Sequence, residues 1–118
     1  MIIDLLTKRY PGMRTWLVQR LTALVMAVYT IVLFVVLFFV QPESYTEWRA
    51  FFSPCWFRFA TWLFWISLTV HAWLGVRDVL KDYVPNYQVR SVLIKVVVVT
   101  LSLEMIWATW LLAVVAKL

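Results

Sequence analysis

Three apolar stretches, each long enough to cross a bilayer, limit this chain to a helical bundle in lipid. Leu21–Val40 runs for twenty residues interrupted only by Thr22, Tyr29 and Thr30. As a helix rising ~1.5 Å per residue it covers about 30 Å, one hydrocarbon core. A second stretch, Phe59–Leu80, is preceded by Arg58 and closed by Arg77, Asp78, Lys81 and Asp82. A third, Ser91–Ala116, ends at Lys117. Gln41-Pro42-Glu43-Ser44 and Pro85-Asn86 mark the breaks between them. The predicted fold is therefore all-α: one domain over residues 1–118, an integral membrane bundle of three transmembrane helices spanning about 15–40, 59–82 and 90–116. Tyr45–Phe57, with Trp48 and Trp56, reads as a loop or a short interfacial helix.

Charge is scarce, at 14% of the 118 residues against about 25% in soluble domains. So short a chain cannot cover three such helices on all sides, and some of its apolar surface must meet lipid or other subunits. The net charge of +5 does not indicate nucleic acid, because the basic residues flank the apolar runs and form no basic face. They set topology instead. One side carries Lys8, Arg9, Arg14, Arg20, Arg77, Lys81 and Arg90, with Lys95 just inside; the other carries Arg49, Arg58 and Lys117. The positive-inside rule then predicts a cytoplasmic N-terminus and an outward-facing C-terminus. Trp16, Trp48, Trp56, Trp62 and Trp110 fall near span ends, as interfacial aromatics do. The N-terminus is not expected to be a cleavable signal, since the first apolar run starts late and has no small-residue cleavage site after it. Cys55 is the only cysteine, which excludes an intrachain disulfide and a zinc cluster.

Ionisable groups inside apolar helices are the informative positions, because a charge at a span's centre costs roughly 2.5–3.5 kcal/mol. His71, the sole histidine, lies within the second span, with Ser67 and Gly75 one turn away on either side of the same face. It reads equally as an imidazole hydrogen-bonded across a helix interface and as a metal ligand. A low-spin haem takes two axial ligands, so a single histidine requires the second from a partner chain or from a methionine. Asp82 follows His71 by eleven residues and returns to nearly the same face, if the helix holds that far. Asp82 and Tyr83 then stand at the interface above the histidine. A phenol there can donate to a quinone carbonyl and a carboxylate can hold an arginine or take part in proton traffic, although spacing alone favours a belt tyrosine beside a solvated aspartate. Arg20, at the start of the first span, suits a haem propionate, an acidic group or a lipid phosphate, or simply snorkels. Glu104 lies deep in the third span, and Lys95 falls on the opposite face of that helix, so the two cannot pair.

The segment His71-Ala72-Trp73-Leu74-Gly75-Val76-Arg77-Asp78-Val79-Leu80-Lys81-Asp82-Tyr83-Val84 closely resembles the second-helix signature of the smaller membrane anchor, the D subunit, of proteobacterial succinate dehydrogenase. The motif is His-Ala-Trp-x-Gly with Asp-Tyr-Val eleven residues after the histidine. Chain length, three spans and an arginine opening the first span also fit.

The resemblance implies an anchor that is not catalytic alone. It pairs with a cytochrome b-type anchor, the C subunit, in the bacterial inner membrane, with a cytoplasmic N-terminus and a periplasmic C-terminus. Together they hold an iron–sulfur subunit and a flavoprotein subunit, and electrons from succinate reach ubiquinone, linking the tricarboxylic acid cycle to the respiratory chain. On this resemblance His71 is an axial ligand of the iron of haem b, shared with the C subunit, and Arg20 binds a haem propionate. Tyr83 hydrogen-bonds ubiquinone and Asp82 supports that site. Three features depart from the family pattern: Arg14 stands where some relatives carry a histidine near the propionates, Pro85 follows Val84 directly, and Glu104 has no counterpart. The alternatives are a haem-free fumarate reductase-type anchor and a small proton-coupled transporter using Glu104.

Overall fold

The computed structural model describes residues 1–117, the side chains of residues 3, 6 and 7 excepted. Five helices are present among them: α1 (Ile2–Arg9), α2 (Met13–Val40), α3 (Tyr45–Phe52), α4 (Cys55–Tyr83) and α5 (Tyr87–Lys117). Three of these, α2, α4 and α5, are long and apolar enough to cross a membrane. They begin a few residues before the hydropathy expectation, because each helix continues past the hydrocarbon into the interface.

Sequence breaks explain where each helix stops. Gln41 caps α2 in the left-handed region at φ 44°, returning its backbone N–H to the Leu37 carbonyl. Ser44 caps α3 by accepting from the Glu47 N–H, and the Glu47 carboxylate accepts in turn from the Glu43 N–H at 2.7 Å. That bond from Glu43, with a second backbone bond from Ser44, holds the Glu47 carboxyl below its ordinary pKa. Pro85 forces Val84 out of helical geometry, to φ −114° and ψ 92°, so α4 stops at Tyr83. Asn86 then caps α5, its side-chain oxygen accepting from the Gln88 N–H at 2.9 Å. Arg90 donates back to the Val84 carbonyl at 3.3 Å, tying the start of α5 to the end of α4.

The spans run antiparallel, and α4 is the middle element, with α2 and α5 each packed along it. No comparable contact joins α2 to α5, while α3 rests against α5. Phe57, Thr61, Phe64, His71 and Gly75 recur at three- and four-residue steps or their multiples along the α2-facing stripe of α4. Tyr29 of α2 stacks on Phe57 and Phe64, and its hydroxyl lies 2.7 Å from that of Thr61. On the other flank, the Trp62 indole donates to Thr109 of α5 at 3.2 Å, and Ala108 is buried against this seam. Most other apolar side chains stay exposed, including Phe34, Phe38, Val96 and Trp107, as expected for a surface wetted by lipid or covered by other subunits.

One motif recurs at these crossings. Thr22, Thr61 and Thr109 each donate their hydroxyl proton to the carbonyl four residues back, at 2.8 Å in all three cases. The oxygen's lone pairs are left to accept from the neighbouring helix. Tyr29→Phe deletes one such bond while leaving Thr61 bonded to its own helix. Destabilisation of about 0.5–1.5 kcal/mol is expected in a detergent unfolding titration, the range for hydrogen bonds between membrane helices.

Candidate functional site

His71 lies in the lower half of the α2–α4 seam, toward the end that carries α1. Its Nδ1 is 3.2 Å from the Gln19 carbonyl oxygen and 3.1 Å from the Thr22 hydroxyl, both on α2. A carbonyl only accepts, and the Thr22 proton is already given to the Val18 carbonyl at 2.8 Å. Both neighbours of Nδ1 are therefore acceptors, which assigns the ring proton to Nδ1. In the neutral imidazole, Nε2 then keeps an unshared lone pair, and no described residue donates a hydrogen bond to it. His71 is thus hydrogen-bonded across a helix interface and also equipped to bind a metal, so the two sequence readings of this residue are compatible.

The small residues beside His71 divide in function. Ser67 is buried in the bundle, so its size serves packing within the chain. Gly75 does not need to be glycine for that purpose: a Cβ there would meet only the Gln19 side-chain nitrogen, at 4.0 Å. Mid-helix glycine costs roughly 1 kcal/mol relative to alanine. Its presence one turn from His71 leaves free the space that a side chain would fill.

The helix does hold as far as Asp82. α4 continues through Tyr83, so Asp82 keeps its angular register with His71, about 16 Å further along the axis. At that height α2 has already begun its turn toward α1, and both Asp82 and Tyr83 project beyond the seam. Tyr83 is 79% exposed, and neither side chain hydrogen-bonds another described residue. Arg20 is likewise exposed, and its guanidinium carbon lies 5.6 Å from the Trp16 ring centroid, one turn nearer the α1 end. The structure thus places Gln19 and Thr22, rather than Arg20, against the imidazole. Arg14 is paired with Asp4 of α1 at 2.6 Å, on the surface. This pairing clasps α1 to the start of α2 across Gly12, whose φ of 93° makes the turn.

Sequence reading missed Gln19 as a partner of His71. It found Thr22 only as an interruption in an apolar run, and that interruption was the available signal. At the opposite end, α2, α4 and α5 enclose a cleft of about 810 Å³ lined by Tyr29, Thr61, Trp65, Glu104 and Trp107, with Tyr45 and Phe52 of α3 at its edge. Glu104 is exposed there and Lys95 is exposed elsewhere on α5, with no ion pair between them. Among the described residues, no three metal-ligating side chains cluster.

Comparison with known proteins agrees with the motif. The sequence family described as succinate dehydrogenase/fumarate reductase transmembrane subunit matches residues 5–115. A curated relative from Coxiella burnetii (strain RSA 493 / Nine Mile phase I), the succinate dehydrogenase hydrophobic membrane anchor subunit, is 35% identical over 107 residues, covering 91% of each chain.

The spacing around Gly75 makes a direct prediction. Gly75→Ala should keep the chain folded and raise its resistance to detergent unfolding by up to about 1 kcal/mol. A loss of stability in the isolated chain would show that α2 itself requires the glycine.

Proposed function

The chain belongs to the succinate dehydrogenase/fumarate reductase transmembrane subunit family and is a succinate dehydrogenase membrane anchor; we propose that in this role it supplies one axial ligand to a b-type haem and part of a ubiquinone site. The observation that carries the haem assignment is the committed Nδ1–H of His71, which leaves Nε2 as a lone-pair donor inside the membrane. The donor chemistry fits the group: neutral imidazole, its other nitrogen anchored to a carbonyl, is the usual form of a histidine ligand. A haem bound there supplies a one-electron carrier within the membrane. A second histidine for that group would come from the C-type anchor subunit, as this chain has only His71.

The chain's own residues then divide the work by height. Gln19 and Thr22 fix the tautomer and ring plane of His71. Arg20, reaching back over Trp16, sets a cation about one turn toward the α1 end and would hold a haem propionate. Arg14 is already neutralised by Asp4 and makes a poor substitute for a propionate-binding histidine. At the end of α4, the Tyr83 hydroxyl donates to a quinone carbonyl, which gathers negative charge and protons as it is reduced. Asp82 beside it supports the arginine of that site and shares in proton delivery. Lys8, Arg9, Arg14, Arg20, Arg77, Lys81 and Arg90 all fall at this end, a bias that supports reading it as the cytoplasmic side, in a bacterial inner membrane. The iron–sulfur and flavoprotein subunits dock there. Exposure of Tyr83 and Asp82 supports this division, because a site shared with partners must be left open by each of them alone.

Two variants of the assembled complex test the proposal. His71→Ala should lose most of the b-type signal in a reduced-minus-oxidised spectrum; an unchanged bis-histidine spectrum removes the ligand assignment. Tyr83→Phe should lower quinone reduction about fivefold, the equivalent of one net hydrogen bond of ~1 kcal/mol, while succinate oxidation by an artificial dye persists. If dye-linked activity falls equally, Tyr83 serves assembly and the quinone role is wrong.

A further inference from the structure

We infer that Thr22 is a positioning residue for the haem-ligating histidine, acting as a second-sphere acceptor that sets the ring's orientation and electron donation. The inference rests on the proposal that His71 binds haem iron, and it extends that proposal to a residue on a different helix.

Three observations support it. The Thr22 oxygen is 3.1 Å from Nδ1, and it donates its one proton within its own helix, its oxygen lying 2.8 Å from the Val18 carbonyl oxygen and 3.0 Å from that of Gln19. The hydroxyl can therefore meet the imidazole only as an acceptor. Secondly, the Gln19 carbonyl sits 3.2 Å from the same nitrogen, so the Nδ1–H is shared between two oxygens three residues apart on one helix. Two acceptors fix the ring plane as well as the tautomer, where one would leave the imidazole free to pivot about its hydrogen bond. Thirdly, Tyr29–Thr61 and Trp62–Thr109 repeat the same threonine arrangement elsewhere in the bundle. In those two contacts the donating side chain has no further nitrogen left with a lone pair, and they serve as internal references for a purely structural role. Only at Thr22 does the donor ring carry a second nitrogen available to a metal.

An acceptor on Nδ1–H makes the imidazole a stronger donor through Nε2 and favours the oxidised iron. Removing Thr22's oxygen leaves Gln19 alone to hold the proton. The ring then donates less strongly and samples a wider range of planes.

The test uses the assembled complex carrying Thr22→Val, which keeps the side chain's shape and removes the hydroxyl. Expected are an upward shift of the haem midpoint potential, changed low-spin electron paramagnetic resonance g values, and loss of haem to apomyoglobin accelerated about tenfold, the low end for outer-sphere partners. Thr22→Ser should restore all three readouts, because it returns the acceptor. Thr61→Val, which removes a sister contact, should leave them unchanged. If Thr22→Val does not assemble, Thr22→Ala removes the hydroxyl without added bulk and is expected to show the same shifts. Wild-type potential and g values in an assembled hydroxyl-free variant overturn the inference. His71→Ala separates this failure from that of the underlying proposal: a normal low-spin haem in that variant means that the histidine is not the ligand, whatever Thr22 does.

Discussion

Hydrocarbon offers a polar group nothing to bond with, and this bundle answers that constraint with threonine. At each of three crossings the hydroxyl proton is spent within its own helix, and the oxygen turns outward to receive a donor from the neighbour. The donors are an imidazole, a phenol and an indole. This one-way use of a small side chain gives each contact a polarity. At His71 a threonine and a carbonyl of α2 select the proton that α4 presents, and the result is a ring whose second nitrogen is left with its lone pair. The same packing that joins two helices thereby fixes which nitrogen of the ring stays free.

The division of the bundle follows from which helix touches which. Because α4 lies between α2 and α5, its two flanks can be specialised independently. The flank toward α2 carries the histidine and the aromatic stack of Tyr29, Phe57 and Phe64. The flank toward α5 carries Trp62 and Thr69, which meet Thr109 and Met105. At the end where α4 outlasts α2, Asp82 and Tyr83 are exposed. At the other end, α3 and its ring cluster of Trp48, Phe51 and Phe52 against Phe57 hold the connection between α2 and α4.

Much of this was legible in the sequence, for physical reasons that differ from element to element. The spans could be read because lipid imposes a minimum apolar length, and their ends because Pro42 and Pro85 interrupt that length. The register between His71 and Asp82 could be read because helix geometry is fixed once the helix continues. α1 was not legible: eight residues with Asp4, Lys8 and Arg9 among apolar neighbours carry too little periodic signal, and the clasp to Arg14 is a tertiary fact. Nor could the partners of His71 be named. Gln19 contributes a backbone carbonyl, which every residue has, so nothing in its identity announces the role. Thr22 announced only that something polar was tolerated inside the first span.

The three membrane helices are not equally at home in lipid, and α4 is the least apolar of them while α2 is the most. During synthesis α2 emerges first and can partition into the bilayer unaided, presenting the Gln19 carbonyl, Thr22 and Tyr29 before α4 arrives. The later helix then enters against a polar docking strip already waiting for its imidazole and its Thr61, and α5 follows onto the remaining flank. Every major span contact joins consecutive spans, so the order of translation is also an order in which each newcomer finds its partner in place, and a translocon need hold no helix aside for a later one.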